Sequence, residues 1–151
     1  MDKFINESQV IVGVNASSRE DVLQILSDLA EKLGFANSSE DVLQAFFDRE
    51  KEGPTGMQYG FAVPHAKCSA IIRPGVLLAK LIHPVEWPSF DNVPVDIALA
   101  LLVPSSQAGT THLKLLSKTA VMLMDKDIRR SLREKNSPKD LSDLISEKLD
   151  A

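Results

Sequence analysis

Three aliphatic runs, Val10–Val14, Val76–Ile82 and Val95–Val103, each bounded by Gly, Pro or Asn, restrict the fold more than any other feature of the chain. Branched aliphatic side chains suit a pleated surface, and runs with so few charges read as strands covered on both faces. A sheet of that kind needs helices packed on it. Ser17 with Glu20, Ser38 with Asp41 and Ser137 with Asp140 repeat a Ser-x-x-acid pattern that caps a first helical turn. Val22, Ile25, Leu26, Leu29 and Leu33 then keep helical spacing up to Gly34, and Leu141, Leu144, Ile145 and Leu149 do so behind Pro138. Two further helices are expected from Thr111 to Met124 and from Asp127 to Arg133, and a short strand from Met57 to Val63. The expected fold is α/β: a single domain over residues 1–151 with a mixed β-sheet of about four to five strands flanked by helices. Strand order is left open by this pattern.

At 151 residues the chain is long enough to bury a core without disulfides or metal. Its 17 Lys and Arg stand against 21 Asp and Glu with no dense basic run, which argues against a nucleic-acid partner. Met1–Glu7 has no apolar signal core and the longest apolar runs are too short to span a bilayer, so a cytoplasmic location without membrane insertion is expected. Cys68 is the only cysteine, which excludes an internal disulfide and fits a reducing compartment.

Chemistry is suggested first by His65, set directly behind Pro64 at the end of Gly60-Phe61-Ala62-Val63. Proline stiffens the mount and removes a donor, and an imidazole with a pKa near 6.5 has a free nucleophilic nitrogen at neutral pH. Arg49 follows Val42 and Phe46 at spacings of four and three, which aims its guanidinium toward the protein body near a helix end. It is either a snorkelling cation or a fixed fork for an anion. The turn-rich segment Glu50–Gly56 offers Thr55 as a donor, and Gly56 and Gly60 as points where backbone N–H groups can approach an anion. His112, behind Thr110-Thr111 and ahead of an apolar stripe, falls in a first helical turn with a threonine as cap; that position favours a neutral ring and attracts anions. His83, inside an aliphatic strand, reads as structural. A metal site built from His65, Cys68 and His112 lacks paired ligand spacing, and neither a P-loop nor a Gly-x-Ser-x-Gly elbow is present.

Arg49-Glu50, Thr55-Gly56, Gly60-Phe61-Ala62-Val63-Pro64-His65-Ala66, Trp87, Asp91-Asn92-Val93-Pro94-Val95 and His112-Leu113 follow the order and spacing of a known family. In these segments the chain resembles the fructose/mannitol-type (type 2) EIIA domain of the bacterial phosphotransferase system over nearly its whole length. Gln58 and Phe61 depart from the usual pattern. The resemblance implies a phosphoryl relay in which His65 accepts a phosphoryl group from the phosphocarrier HPr and passes it to a cysteine of an EIIB domain, with no cofactor and no metal. Arg49 would neutralise phosphoryl charge, and His112 and Thr55 would donate hydrogen bonds. Sugar choice belongs to the membrane component of such systems. The alternative is a regulatory, nitrogen-related EIIA paralog whose phosphorylation state switches binding to other proteins.

Overall fold

The computed structural model describes residues 4–107 and 109–149. Its strands are β1 (Val10–Val14), β2 (Phe61–Ala62), β3 (His65–Cys68), β4 (Gly75–Val85) and β5 (Val95–Pro104). Its helices are α1 (Arg19–Lys32), α2 (Ser39–Glu52), α3 (Thr110–Met124), α4 (Lys126–Glu134) and α5 (Pro138–Leu149). Single 3-10 turns lie at Glu7–Gln9 and Ser105–Gln107. The expected mixed sheet is present: β1 runs parallel to β4, β4 antiparallel to β5, and β5 parallel to both β2 and β3.

Strand parity divides the core into two layers. On β5, Ala98, Ala100 and Leu102 face α1 and α2, whereas Ile97, Leu99, Leu101 and Val103 face α3, α4 and α5. Small residues on the first face, with Ala79 of β4, let α1 and α2 lie close to the sheet. Leu99, Leu101 and Leu102 are at most 1% exposed, and each such burial contributes about 2 kcal/mol. Buried on both faces, β5 is the fixed rail along which the edge strand lies.

That edge strand differs from expectation. Instead of one strand from Met57 to Val63, the chain turns at Gln58–Gly60, where Tyr59 has φ 62, and only Phe61–Ala62 pairs before the ladder lapses. Pairing resumes at His65, and the register is unchanged: Phe61 lies opposite Ile97 and His65 opposite Leu101, four residues further on both strands. β2 and β3 are therefore one edge strand interrupted at Val63-Pro64. Pro64 has no N–H for the ladder, and an edge is where a sheet tolerates that loss.

Helix starts differ in detail. Ser18 caps α1 by accepting from the Asp21 N–H, while Ser17 hydrogen-bonds the Asp21 carboxylate, so the capping pair sits one residue later than expected. Ser38 and Ser137 cap α2 and α5 as the sequence suggests. At α3 the cap position is Gly109, already in helical conformation and without a side-chain bond, and Thr110, instead of capping, is the first helical residue.

Candidate functional site

His65 opens β3, beyond the end expected for the edge strand at Val63. The Pro64 carbonyl accepts from the Leu101 N–H at 2.9 Å, and the Val63 N–H donates to the Thr55 carbonyl at 3.0 Å, so the backbone is held on both sides of the interruption. The ring is only 5% exposed, yet neither Nδ1 nor Nε2 has a hydrogen-bond partner. A buried polar group without a partner costs stability and calls for an explanation in function.

The explanation lies in what surrounds it. A cleft of about 390 Å³ is lined by one side of α2, by β3 and by the start of α3, and it brings Arg49, His65 and His112 together. By parity with Phe61 and Val63, His65 faces the α3 layer, where the His112 ring stands edge-on with centroids 5.3 Å apart and planes at 60°. Arg49 comes from the opposite layer. It occupies the last turn of α2, half-buried, and its guanidinium donates to the Gly53 carbonyl at 2.8 Å, which fixes one arm of the fork.

Burial, reinforced by the cations of Arg49 and the proximity of His112, pushes the His65 pKa down to about 4, with the Val63 backbone acting weakly the other way. His112 is also lowered, by burial first and then by Lys67 and Arg49. At neutral pH the site thus holds two uncharged rings beside a permanent cation. A neutral imidazole with an unoccupied lone pair is a nucleophile, and a guanidinium beside it can balance the charge of an anionic group.

Thr55 lies outside this cleft. It is 3% exposed, and its hydroxyl donates to the Glu50 carboxylate, so the proton expected for a bound anion is already committed. Glu50 itself is helical, because α2 continues to Glu52 and the turn expected from Glu50 begins at Gly53. Neither Gly56 nor Gly60 lines the cleft. A Cβ on Gly56 would stand 2.3 Å from the Pro88 carbonyl oxygen, and Gly60, at φ 85, abuts the Arg133 guanidinium. His83 is exposed on β4, away from the cleft. Among the described residues no group of three His, Cys, Asp or Glu is placed to hold a metal ion, and no helix is long and apolar enough to cross a membrane.

Lys67 is the site residue that sequence reasoning missed. It lines the cleft two positions after His65, the same-face spacing of a strand, and the strand expected from the sequence ends at Val63, short of both residues.

Known proteins share this arrangement of chain. The family model described as phosphoenolpyruvate-dependent sugar phosphotransferase system, EIIA 2, matches residues 3–148. A nitrogen regulatory protein of Klebsiella oxytoca is 38% identical over 149 residues, covering 97% of this chain and 90% of its own. The 2-O-alpha-mannosyl-D-glycerate-specific EIIABC component of Escherichia coli is 33% identical over 133 residues, 87% of this chain; the match spans only 20% of that larger protein. Among solved structures, the nitrogen regulatory protein IIA-Ntr of Neisseria meningitidis superposes with a TM-score of 0.87 at 28% identity, covering 94% of this chain and 96% of its own. Mannitol enzyme IIA of Escherichia coli, solved in complex with phosphorylated mannitol enzyme IIB, shares the fold at a TM-score of 0.74 and 19% identity, covering 97% of this chain and 96% of its own.

Proposed function

Because this chain belongs to the EIIA type 2 family of the phosphoenolpyruvate-dependent sugar phosphotransferase system, we propose that it is a phosphoryl carrier in the cytoplasm, with His65 as the residue that carries the group. The observation that bears most weight is the buried His65 ring, neutral and unpartnered, beside Arg49 and His112 in an open cleft. In the accepting step an unprotonated ring nitrogen of His65 attacks the phosphorus of phosphorylated HPr. The N–P bond on the donor breaks as the new one forms, and the electron pair returns to the donor imidazole. In the delivering step a thiolate of an EIIB domain attacks the same phosphorus and the pair returns to His65. Both are in-line displacements with a loose transition state, so position and charge balance on three oxygens supply the catalysis. Arg49 provides the charge, and neutral His112 a hydrogen bond. Thr55 acts at one remove, through the loop. The chain is a phosphotransferase in the sense of a relay component.

The test uses the full chain with phosphoenolpyruvate, enzyme I and HPr. One acid-labile phosphoryl group is expected in the wild type and none in His65→Ala; labelling that persists in the variant would overturn the assignment.

A second reading concerns the destination of the group. The 38% identity to a nitrogen regulatory protein and the TM-score of 0.87 to another favour a regulatory carrier, whose phosphorylation state governs binding to other proteins. Label that drains rapidly to an EIIB domain argues for sugar uptake. Label that stays, with partner capture differing between the two states, argues for regulation.

A further inference from the structure

We propose that Glu50 is a positioning residue for phosphoryl transfer, holding His65 in register with Arg49 through Thr55; this rests on the carrier reading above. Glu50 directly follows Arg49 in the last turn of α2, yet its side chain turns the other way and is only 3% exposed. A buried carboxylate is costly unless its oxygens are satisfied. Here one oxygen accepts the Thr55 hydroxyl, and the other accepts the Thr55 N–H and the Trp87 Nε1–H, both at 3.3 Å, with the Arg19 guanidinium at 3.7 Å. Two of its three hydrogen bonds therefore grip one residue.

That residue supports the mount of the nucleophile. The edge strand lapses at Val63-Pro64, and there the Val63 N–H has no strand partner; the Thr55 carbonyl takes it. From Glu50 to Thr55 to Val63 is a chain of two hydrogen-bonded links, ending two residues before His65. Helix α2 thus sets both members of the pair: Arg49 directly, and the His65 backbone by way of Glu50. Trp87 and Arg19 hold the carboxylate in one orientation. No direct electrostatic influence of Glu50 on the His65 ring is needed. Its effect is geometric, and reactions that depend on alignment are sensitive to it, about 100-fold for a displacement near 1 Å.

The deciding experiment measures single-turnover transfer from phosphorylated HPr to the full chain for wild type, Glu50→Gln, Thr55→Val and Thr55→Ser. The His65 ring resonances are recorded by NMR alongside. Expected results are a fall in the maximal transfer rate of tenfold or more for Glu50→Gln and Thr55→Val, a half-saturating concentration of phosphorylated HPr within twofold of wild type, and displaced His65 signals. Thr55→Ser, which keeps the hydroxyl, should restore the rate to within about threefold. A cooperatively melting Glu50→Gln with a wild-type maximal transfer rate and unmoved His65 signals overturns the inference, as does a loss carried by the half-saturating concentration alone. If Glu50→Gln does not melt cooperatively, Thr55→Val decides by the same criteria. Failure of the carrier reading is seen separately, as a wild type that takes no group on His65.

Discussion

Protonation of His65 offers the sharpest test of how the site works. At a pKa of about 4, about one ring in a thousand is protonated at pH 7, against about a quarter at the ordinary value near 6.5. The perturbation is a pH titration of the uniformly ¹⁵N-labelled protein, read at the histidine ring nitrogens and assigned by comparison with His65→Gln. The His65 signals are expected to stay those of a neutral ring down to about pH 5. In Arg49→Gln the midpoint should rise but remain below 6.5, because burial, the larger cause, is unchanged.

Stability carries the same information. The folded pKa lies below the unfolded one, so between about 4 and 6.5 the unfolded chain binds a proton that the native ring refuses. Stability from this group is complete above pH 6.5 and is lost as pH falls toward 4. The whole difference is roughly 3 kcal/mol, of which about 2 kcal/mol falls between pH 7 and pH 5. Urea denaturation at those two pH values should thus show wild type losing about 2 kcal/mol more than His65→Gln. A midpoint above about 6 by NMR, or equal acid losses in the two proteins, would refute the reasoning that burial and Arg49 keep the ring neutral.

Arg49→Ala is expected to slow phosphoryl transfer while retaining some labelling, since charge balance tunes a step that the ring performs; a normal rate would reduce Arg49 to a packing and capping residue. Phosphorylation of His65 places about two negative charges close to His112, whose ring is edge-on at 5.3 Å, so the His112 titration midpoint should rise on phosphorylation, a shift NMR detects directly. Gly56→Ala forces a Cβ against the Pro88 carbonyl and should cost about 1–3 kcal/mol by denaturant unfolding; a neutral result would show that the two segments part easily. Ser38→Ala removes the α2 cap and should cost about 1 kcal/mol, measured in the same way.

Much of the architecture was legible in local pattern. Aliphatic runs marked β1, β4 and β5, capping serines and helical stripes marked α1, α2 and α5, and helical spacing marked the inward course of Arg49 and the first-turn place of His112. These are properties of neighbours along the chain: a period, a cap or a proline acts within a few residues. The order β1-β4-β5 with a broken edge strand depends on which distant segments pair, and no local period encodes that. Burial of His65 is likewise a tertiary outcome, because Pro64-His65 reads the same whether the ring faces water or the α3 layer. Thr55 shows the point most directly. Its sequence neighbours made it look like a donor for an anion, but the end of α2 brings Glu50 to its hydroxyl, and a single proton given to that carboxylate is withdrawn from the cleft. Residue types therefore determined which chemistry the chain has available, and the meeting of α2, β3 and α3 decided which groups are free to perform it.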